Sequence, residues 1–378
     1  MPPIHLLIKP ASSACNMACS YCFYNDVAAN RLCAFKGMMS EALLEDLVRD
    51  ALEYADGVCG FTFQGGEPTL VGLDFYRKLV ELQKKYNYKN VRVHNSIQTN
   101  GMNLPEEWAK FFHQHQFLVG VSLDGLKELH DGYRYDKMGK GTFDRILKTI
   151  ERLNRHKVAY NILSVVTGKN AAHIEETYRF FRSQGFEYLQ FIPCLEPFAE
   201  EKGSVEYSLG IEEYQFFLTK IFDLWFEDLK KGKYISIRHL DNWIGILLGR
   251  APEACSMQGR CSIQFVVEAN GEVYPCDFYV LDEWILGKIG ENTLAEMERS
   301  DKAKRFLMES VPLPEECKTC RYVQLCRNGC KRERAVMDEK EAAKLYYCRA
   351  IKGFFRSREK QLEEAAAIIL NWMKTQRK

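Results

Sequence analysis

Net charge is what this 378-residue sequence has least of: 52 lysines and arginines stand against 51 aspartates and glutamates. Without a field of one sign, nothing draws the chain onto nucleic acid or an anionic membrane. A substrate held by local contacts, a peptide or small molecule, is expected instead. No run approaches the ~20 apolar residues of a membrane span, so no membrane partner is expected. The first residues carry no charged segment ahead of their short apolar run, which excludes a signal peptide and predicts a cytoplasmic protein. Cysteine is nearly missing from the middle, where only Cys59 and Cys194 occur between Cys33 and Cys255. The others crowd together, at 15, 19 and 22 and then eight times from 255 to 348. A disulfide scaffold would spread its bridges, whereas clustered cysteines in a chain of this kind bind metal or catalyse.

From the N-terminus to about residue 195, short β-rich runs alternate with amphipathic helical stretches. The strands expected are Ile4–Lys9, Val58–Phe63, Val91–Gln98, Phe117–Leu123, Asn161–Val166 and Tyr188–Pro193. The helices expected are Ser40–Tyr54, Asp74–Tyr86, Glu106–His115, Thr142–His156 and Ala172–Ser183. Near-continuous apolar strands joined by helices predict a parallel sheet covered on both faces. Six such units fall short of the eight in a closed barrel, so the fold class expected is α/β, a partial (β/α)6 barrel. A polar linker at Glu196–Leu209 and a helix at Glu212–Lys231 follow. Beyond Cys255, Ile263–Val267 and Glu272–Pro275 flank Asn270-Gly271, a hairpin signal. Metal is expected to organise Cys317–Cys348, where there is little apolar sequence. A long helical pattern, Lys340–Lys374, ends the chain. The division expected is 1–195, 196–250, 251–350 and a C-terminal helix at 351–378.

Cys15, Cys19 and Cys22 follow closely on the first strand. Three thiolates so spaced can hold three irons of a four-iron cluster and leave the fourth open for chemistry. Zinc would want a fourth ligand, and none lies close by in sequence. The CxxxCxxC run, with Tyr21 before its last cysteine, resembles the radical S-adenosylmethionine superfamily signature. That resemblance implies a cofactor, S-adenosyl-L-methionine, chelated at the open iron and cleaved to a 5′-deoxyadenosyl radical. It implies cofactor contacts from Tyr21 and from Gly65, Gly66 and Glu67, which resemble the GGEP motif after the second strand. The glycines permit close backbone approach, and Glu67 can accept from an ammonium group. Ser122, Asp124 and Arg134 follow the fourth strand; hydroxyl and carboxylate suit ribose, and the guanidinium fork suits a carboxylate. Leu195, after the sixth strand, is expected to offer backbone to adenine.

The eight later cysteines suffice for two fully ligated four-iron clusters, although four-cysteine zinc sites fit the same count. The spacing Cys317-x2-Cys320-x5-Cys326-x3-Cys330, followed by Cys348, resembles the SPASM extension of radical enzymes that modify peptides. Which cysteines share a cluster is not set by spacing alone. The resemblance implies one set of Cys255, Cys261, Cys276 and Cys330, and a second of Cys317, Cys320, Cys326 and Cys348. With the first motif this makes three 4Fe–4S clusters.

Lys9-Pro10, Cys22-Phe23-Tyr24, Gln64 through Pro68 and Tyr274 through Asp277 together resemble the anaerobic sulfatase-maturating enzymes. The implied reaction is oxidation of a cysteine or serine in an unfolded or nascent sulfatase to Cα-formylglycine. The adenosyl radical would take a hydrogen atom from Cβ. Asp277 would take the proton from the thiol or hydroxyl, an auxiliary cluster the electron, and Tyr24 and Gln64 would touch substrate. An external electron donor such as flavodoxin or ferredoxin is implied as well. A SPASM enzyme that crosslinks or epimerises a ribosomal peptide would share every cluster ligand. Such enzymes usually carry a peptide-binding domain before the first strand, and only 14 residues precede Cys15.

Overall fold

The computed structural model describes residues 3–335 and 342–375. Six strands lie where the apolar runs placed them, each within a residue of its expected ends: β1 (Ile4–Lys9), β2 (Val58–Phe63), β3 (Arg92–Thr99), β4 (Leu118–Ser122), β5 (Tyr160–Val166) and β6 (Tyr188–Pro193). Shorter strands follow: β7 (Ser236–Ile237), β8 (Val266–Glu268), β9 (Glu272–Tyr274), β10 (Gly287–Lys288), β11 (Arg334–Ala335) and β12 (Lys344–Leu345).

The chain forms two compact units that interleave along the sequence. The first comprises Met1–Leu123, His130–Asn161 and Ser262–Phe306; the second holds Asp124–Leu129, Ile162–Cys261 and Leu307–Lys378. In the first unit the strand order is β10-β9-β8-β1-β2-β3-β4. β1, β2, β3 and β4 are parallel neighbours, with Leu7 opposite Thr62, Thr62 opposite Ser96 and Gln98 opposite Gly120. One face is mainly apolar and buried, through Ile4, Leu6, Ile8, Phe61, Phe63, Ile97 and Val119, with Asn95 on it bonded to Gln83. The helices Glu41–Tyr54, Leu73–Tyr86 and Glu106–Gln114 present matching stripes, led by Leu44, Leu47, Tyr76, Leu79 and Phe112. The Ser40 side chain caps the first of these by accepting from Leu43 N.

The hairpin expected at Asn270-Gly271 is present, with Val266 opposite Tyr274 and Gly271 at φ +89°. Nothing in the sequence pattern signals what it pairs with: β8 lies parallel to β1, setting Glu268 opposite Lys9.

In the second unit β5, β6 and β7 are parallel neighbours, and the helix Ile211–Lys230 packs on the C-terminal helix Cys348–Thr375. That last helix starts later than the pattern from Lys340 predicts. Lys340 and Glu341 lie outside the described residues, as do the last three of 351–378, and Lys344-Leu345 pair with Arg334-Ala335 as a two-stranded ladder. The backbone groups of that stretch are taken by the ladder, so the helix begins at Cys348. A helix at Arg238–Leu247, built round Leu240, Trp243 and Ile244, was not foreseen.

Candidate active site

The cysteine loop leaves the end of β1 and is gripped by the glycine turn that leaves β2. Glu67 N donates to Ala14 O at 2.7 Å, and Gln64 N donates to Ile8 O at 2.9 Å. Gly66 sits at φ +54°, where a Cβ would lie 2.2 Å from the carbonyl oxygen of Ala14. Only glycine lets the two loops meet this closely. Glu67 is buried. Its Oε1 accepts from Thr69 N, Thr69 Oγ1 and Thr99 Oγ1, and its Oε2 from Asn100 N at 2.8 Å. Burial raises its carboxyl above the ordinary range, and these hydrogen bonds work the other way. Oε2 keeps a lone pair beyond the bond from Asn100, so a cofactor ammonium would find an acceptor there.

Asn100 also reaches the cysteine loop, with Nδ2 3.6 Å from Cys15 Sγ and 2.7 Å from Asn16 Oδ1. Met17 N approaches Cys15 Sγ at 3.4 Å. Two N–H groups directed at one sulfur would stabilise a thiolate there, as partners around a metal ligand do. None of the fourteen cysteines forms a disulfide. Burial pushes Cys15 up to about 11 and Cys326 up to about 12, and raises Cys255, Cys317, Cys330 and Cys348 too. Burial pushes Cys59 and Cys194, for which no ligand role is expected, up to about 12 as well, so the direction of these shifts does not by itself mark a metal ligand. Among the described residues, no three His, Cys, Asp or Glu side chains gather closely enough for a single ion.

Within the second unit the expected auxiliary ligands fall into two neighbourhoods. Besides burial, nearby Cys261 raises the thiol of Cys255, and Cys255 and Cys261 raise that of Cys330; the thiols of Cys317, Cys326 and Cys348 are raised by burial and by neighbours among Cys317, Cys320 and Cys348. Cys276 lies in the first unit, immediately after β9.

Arg134 is buried with its guanidinium 5.3 Å from the ring centre of Tyr21, which also packs on Tyr133. Two expected cofactor contacts thus stand together. Thr142 holds the Arg134 carbonyl through Oγ1, and Asp131 accepts from the backbone of Thr142 and Phe143. Ser122 is buried at the end of β4. Asp124 and Leu195 belong to the second unit, where Asp124 Oδ1 accepts from Val165 N at 2.9 Å and so fastens β5.

Asp277 is buried beside Cys276, with Oδ1 2.5 Å from Lys9 Nζ and Oδ2 accepting from Gln64 Nε2 at 2.9 Å. The Lys9 ammonium also stands 3.8 Å over the Tyr24 ring. The Tyr24 hydroxyl is hydrogen-bonded to Glu268, which in turn pairs with Arg31 at 2.7 Å. Gln64, Asp277 and Tyr24 are therefore parts of one buried network. Lys9, Glu268 and Arg31 complete it, and no site role is expected for them from the sequence. The available sign for Lys9 is a cation directly after the apolar run Leu6-Leu7-Ile8 at the end of a strand.

Residues 10–181 match the radical SAM superfamily, and residues 255–321 match an iron–sulfur cluster-binding domain. The cysteine-type anaerobic sulfatase-maturating enzyme of Clostridium novyi is 48% identical over 97% of this chain and 98% of its own length. This chain belongs to the anaerobic sulfatase-maturating enzymes. It is a radical SAM oxidoreductase of that type. The serine-type family member of Bacteroides thetaiotaomicron is 36% identical, over 88% of this chain and 83% of its own. Native anSMEcpe with bound AdoMet and Cp18Cys peptide superposes with a TM-score of 0.92 at 46% identity, covering 97% of this chain and all of that one. The fold class expected, a partial barrel from the strand–helix alternation with a SPASM domain implied by the cysteine resemblance, is thereby borne out, and the family binds S-adenosyl-L-methionine and iron–sulfur clusters. Among the described residues no helix is long and apolar enough to cross a membrane.

Proposed function

We propose that this sulfatase-maturating enzyme oxidises a cysteine of an unfolded or nascent sulfatase to Cα-formylglycine. The observation that carries this reading is the Asp277 carboxylate, buried next to a cluster ligand and held by Lys9 and Gln64. Cysteine is favoured over serine because the cysteine-type relative is 48% identical and the serine-type one 36%.

Cys15, Cys19 and Cys22 would hold the cofactor-cleaving cluster. Cys255, Cys261, Cys276 and Cys330 would hold a second cluster, and Cys317, Cys320, Cys326 and Cys348 a third. Tyr21, Gly65, Gly66, Glu67, Ser122, Asp124, Arg134 and Leu195 would grip the cofactor. Residues 1–195 would cleave it, 251–350 would carry the auxiliary clusters, and 196–250 and the terminal helix would connect and brace them. Bound together, these groups supply a hydrogen-atom acceptor for the substrate Cβ and a sink for one electron. Asp277 receives the proton of the substrate thiol, so that one hydrogen atom, one proton and one electron leave and a thioaldehyde remains. Water then replaces sulfur, releasing hydrogen sulfide. Gln64 and Tyr24 line the approach to Asp277 and would position the peptide. The chain would work in the cytoplasm, with reducing equivalents from a flavodoxin or ferredoxin.

Mass spectrometry of a sulfatase-motif peptide after anaerobic turnover tests the reading. The cysteine should exchange its sulfur for oxygen and lose two hydrogens. Formation of 5′-deoxyadenosine with an unaltered peptide would overturn it.

A further inference from the structure

Lys9 is fully buried at the end of β1, and its ammonium is the cation closest to Asp277, 2.5 Å from Oδ1. A lysine ordinarily keeps its head in water, and burying it costs free energy unless a partner offsets the loss. The surroundings are built for it. Gly65 stands at φ +106°, and a Cβ there would lie 2.7 Å from Lys9 Nζ, 2.8 Å from Cγ and 3.0 Å from Cδ. The first glycine of the turn therefore clears the path along which the Lys9 side chain runs. Tyr24 closes the other side, its ring 3.8 Å from Nζ. Neither Lys9 Nζ nor Asp277 Oδ1 has a well-aligned hydrogen bond, so Coulomb attraction rather than a directional bond joins them. The Asp277 oxygens are thus distinguished: Oδ1 faces a fixed cation, and Oδ2 faces the neutral amide of Gln64 at 2.9 Å.

We infer that Lys9 is the positioning residue of this site, fixing Asp277 through Oδ1 so that Oδ2, beside Gln64, is the oxygen presented to substrate. The inference rests on the reading of Asp277 as the proton acceptor. Lys9 packs against Gly65 and the Tyr24 ring, and its one charged partner among the described residues is Asp277, through which it acts on the reaction. A peptide amide would not pull Oδ2 from its place, because Oδ1 is anchored independently.

A double-mutant cycle of Lys9→Met and Asp277→Asn in the reconstituted enzyme tests this. Lys9→Met should lower kcat for peptide oxidation by about tenfold or more, while KM for the peptide changes by less than about twofold. Cofactor cleavage should continue, so 5′-deoxyadenosine per formylglycine rises well above the parent ratio. The double variant should be no slower than Asp277→Asn, because residues acting as one unit are not additive. Lys9→Arg, which keeps the cation, should recover part of kcat. If Lys9→Met fails to fold or to take up iron, Lys9→Gln carries the same measurements. Parent-like turnover by the Lys9 variants beside an inactive Asp277→Asn would overturn the positioning role and leave the base assignment standing. A double variant slower than Asp277→Asn would also overturn it, since Lys9 would then act elsewhere. Full turnover by Asp277→Asn would remove the base assignment, and this inference with it.

Discussion

Arg31 and Glu268 form an ion pair 2.7 Å long in which both side chains are wholly removed from solvent. Arg31 Nη2 also donates to Ala34 O at 2.7 Å, and Tyr24 donates its hydroxyl to the Glu268 carboxylate. The pair joins the segment after the cysteine loop to β8, and so braces the strand that follows Lys9 in the sheet. Removing one partner of a buried pair leaves the other charge uncompensated and costs about 3–5 kcal/mol. Arg31→Met should therefore destabilise the enzyme by that order in anaerobic denaturant unfolding. Glu268→Gln should cost less, because its amide oxygen still accepts from the guanidinium. Equal stability of Arg31→Met and the parent would show that the pair contributes nothing net.

Gly66 supplies a sharper test of how the first cluster is held. An alanine there meets backbone rather than a flexible side chain, at 2.2 Å from Ala14 O, with φ at +54°. One of the two loops must move, and Ala14 adjoins the first cysteine. Gly66→Ala should lose about four irons per chain and all cofactor cleavage, with the auxiliary clusters intact. Iron analysis and electron paramagnetic resonance read both. Full iron content in this variant would contradict the tight seam between the loops.

The cysteine runs and the six main strands were legible because each is written locally, the first in ligand spacing and the second in short β-rich runs alternating with amphipathic helical stretches. The network round Asp277 was not. Gln64 meets Asp277 across 213 positions, and Tyr24 meets Glu268 across 244. Both contacts depend on a three-residue strand, Val266–Glu268, joining β1 in parallel. So short a strand has too few residues to show a period, and parallel pairing leaves no turn to mark its partner. Lys9 was equally hidden, since its role comes from a glycine turn far along the chain, at Gly65, making room for it. The late start of the C-terminal helix has a different cause. Lys344 and Leu345 suit helix and strand alike, and the tertiary ladder decides between them.

Glu67→Gln should separate the structural part of the glycine turn from its part in cofactor binding. The carboxylate takes three donors on Oε1 and one, Asn100 N, on Oε2. A glutamine must turn its NH2 toward one of these donors, leaving a buried N–H without an acceptor at a cost of about 1–3 kcal/mol. Thermal unfolding should show that loss without cofactor present. Calorimetric titration should show weaker cofactor binding as well, because the amide nitrogen repels an ammonium group. Unchanged affinity with lowered stability would confine Glu67 to holding the turn.

His239 gives the second unit a pH response. Burial against Trp243, with Arg238 adding repulsion, lowers its imidazole to about 4. The unfolded chain takes up this proton near 6.5, so between those values the unfolded state binds more protons than the folded one. Stability from this group is complete above about pH 6.5 and falls as the pH drops toward 4. His239 is only half-buried, which reduces the effect to about 1–2 kcal/mol. Denaturant midpoints at pH 7.5 and 5.5 should differ more for the parent than for His239→Gln. Identical pH dependence in the two would exclude His239 as the source.

The neighbourhoods of thiols in the second unit predict how iron is lost when ligands are removed. The thiols of Cys317, Cys326 and Cys348 are raised by burial and then by neighbours among Cys317, Cys320 and Cys348, whereas that of Cys330 is raised by burial and then by Glu333, Cys255 and Cys261, although only four positions separate it from Cys326. Under the proposed assignment, adjacent cysteines in the run would serve different centres, as in two-cluster ferredoxins. Cys326→Ala and Cys348→Ala should each lose about four irons per chain, and the double variant no more than either alone. Cys326→Ala combined with Cys330→Ala should instead lose about eight, because one ligand is taken from each centre. Iron per chain, with the resonance spectrum of the cluster that survives, distinguishes the cases. A loss of only four irons from that last pair would mean that both cysteines serve one cluster, and the division of the eight ligands would have to be redrawn.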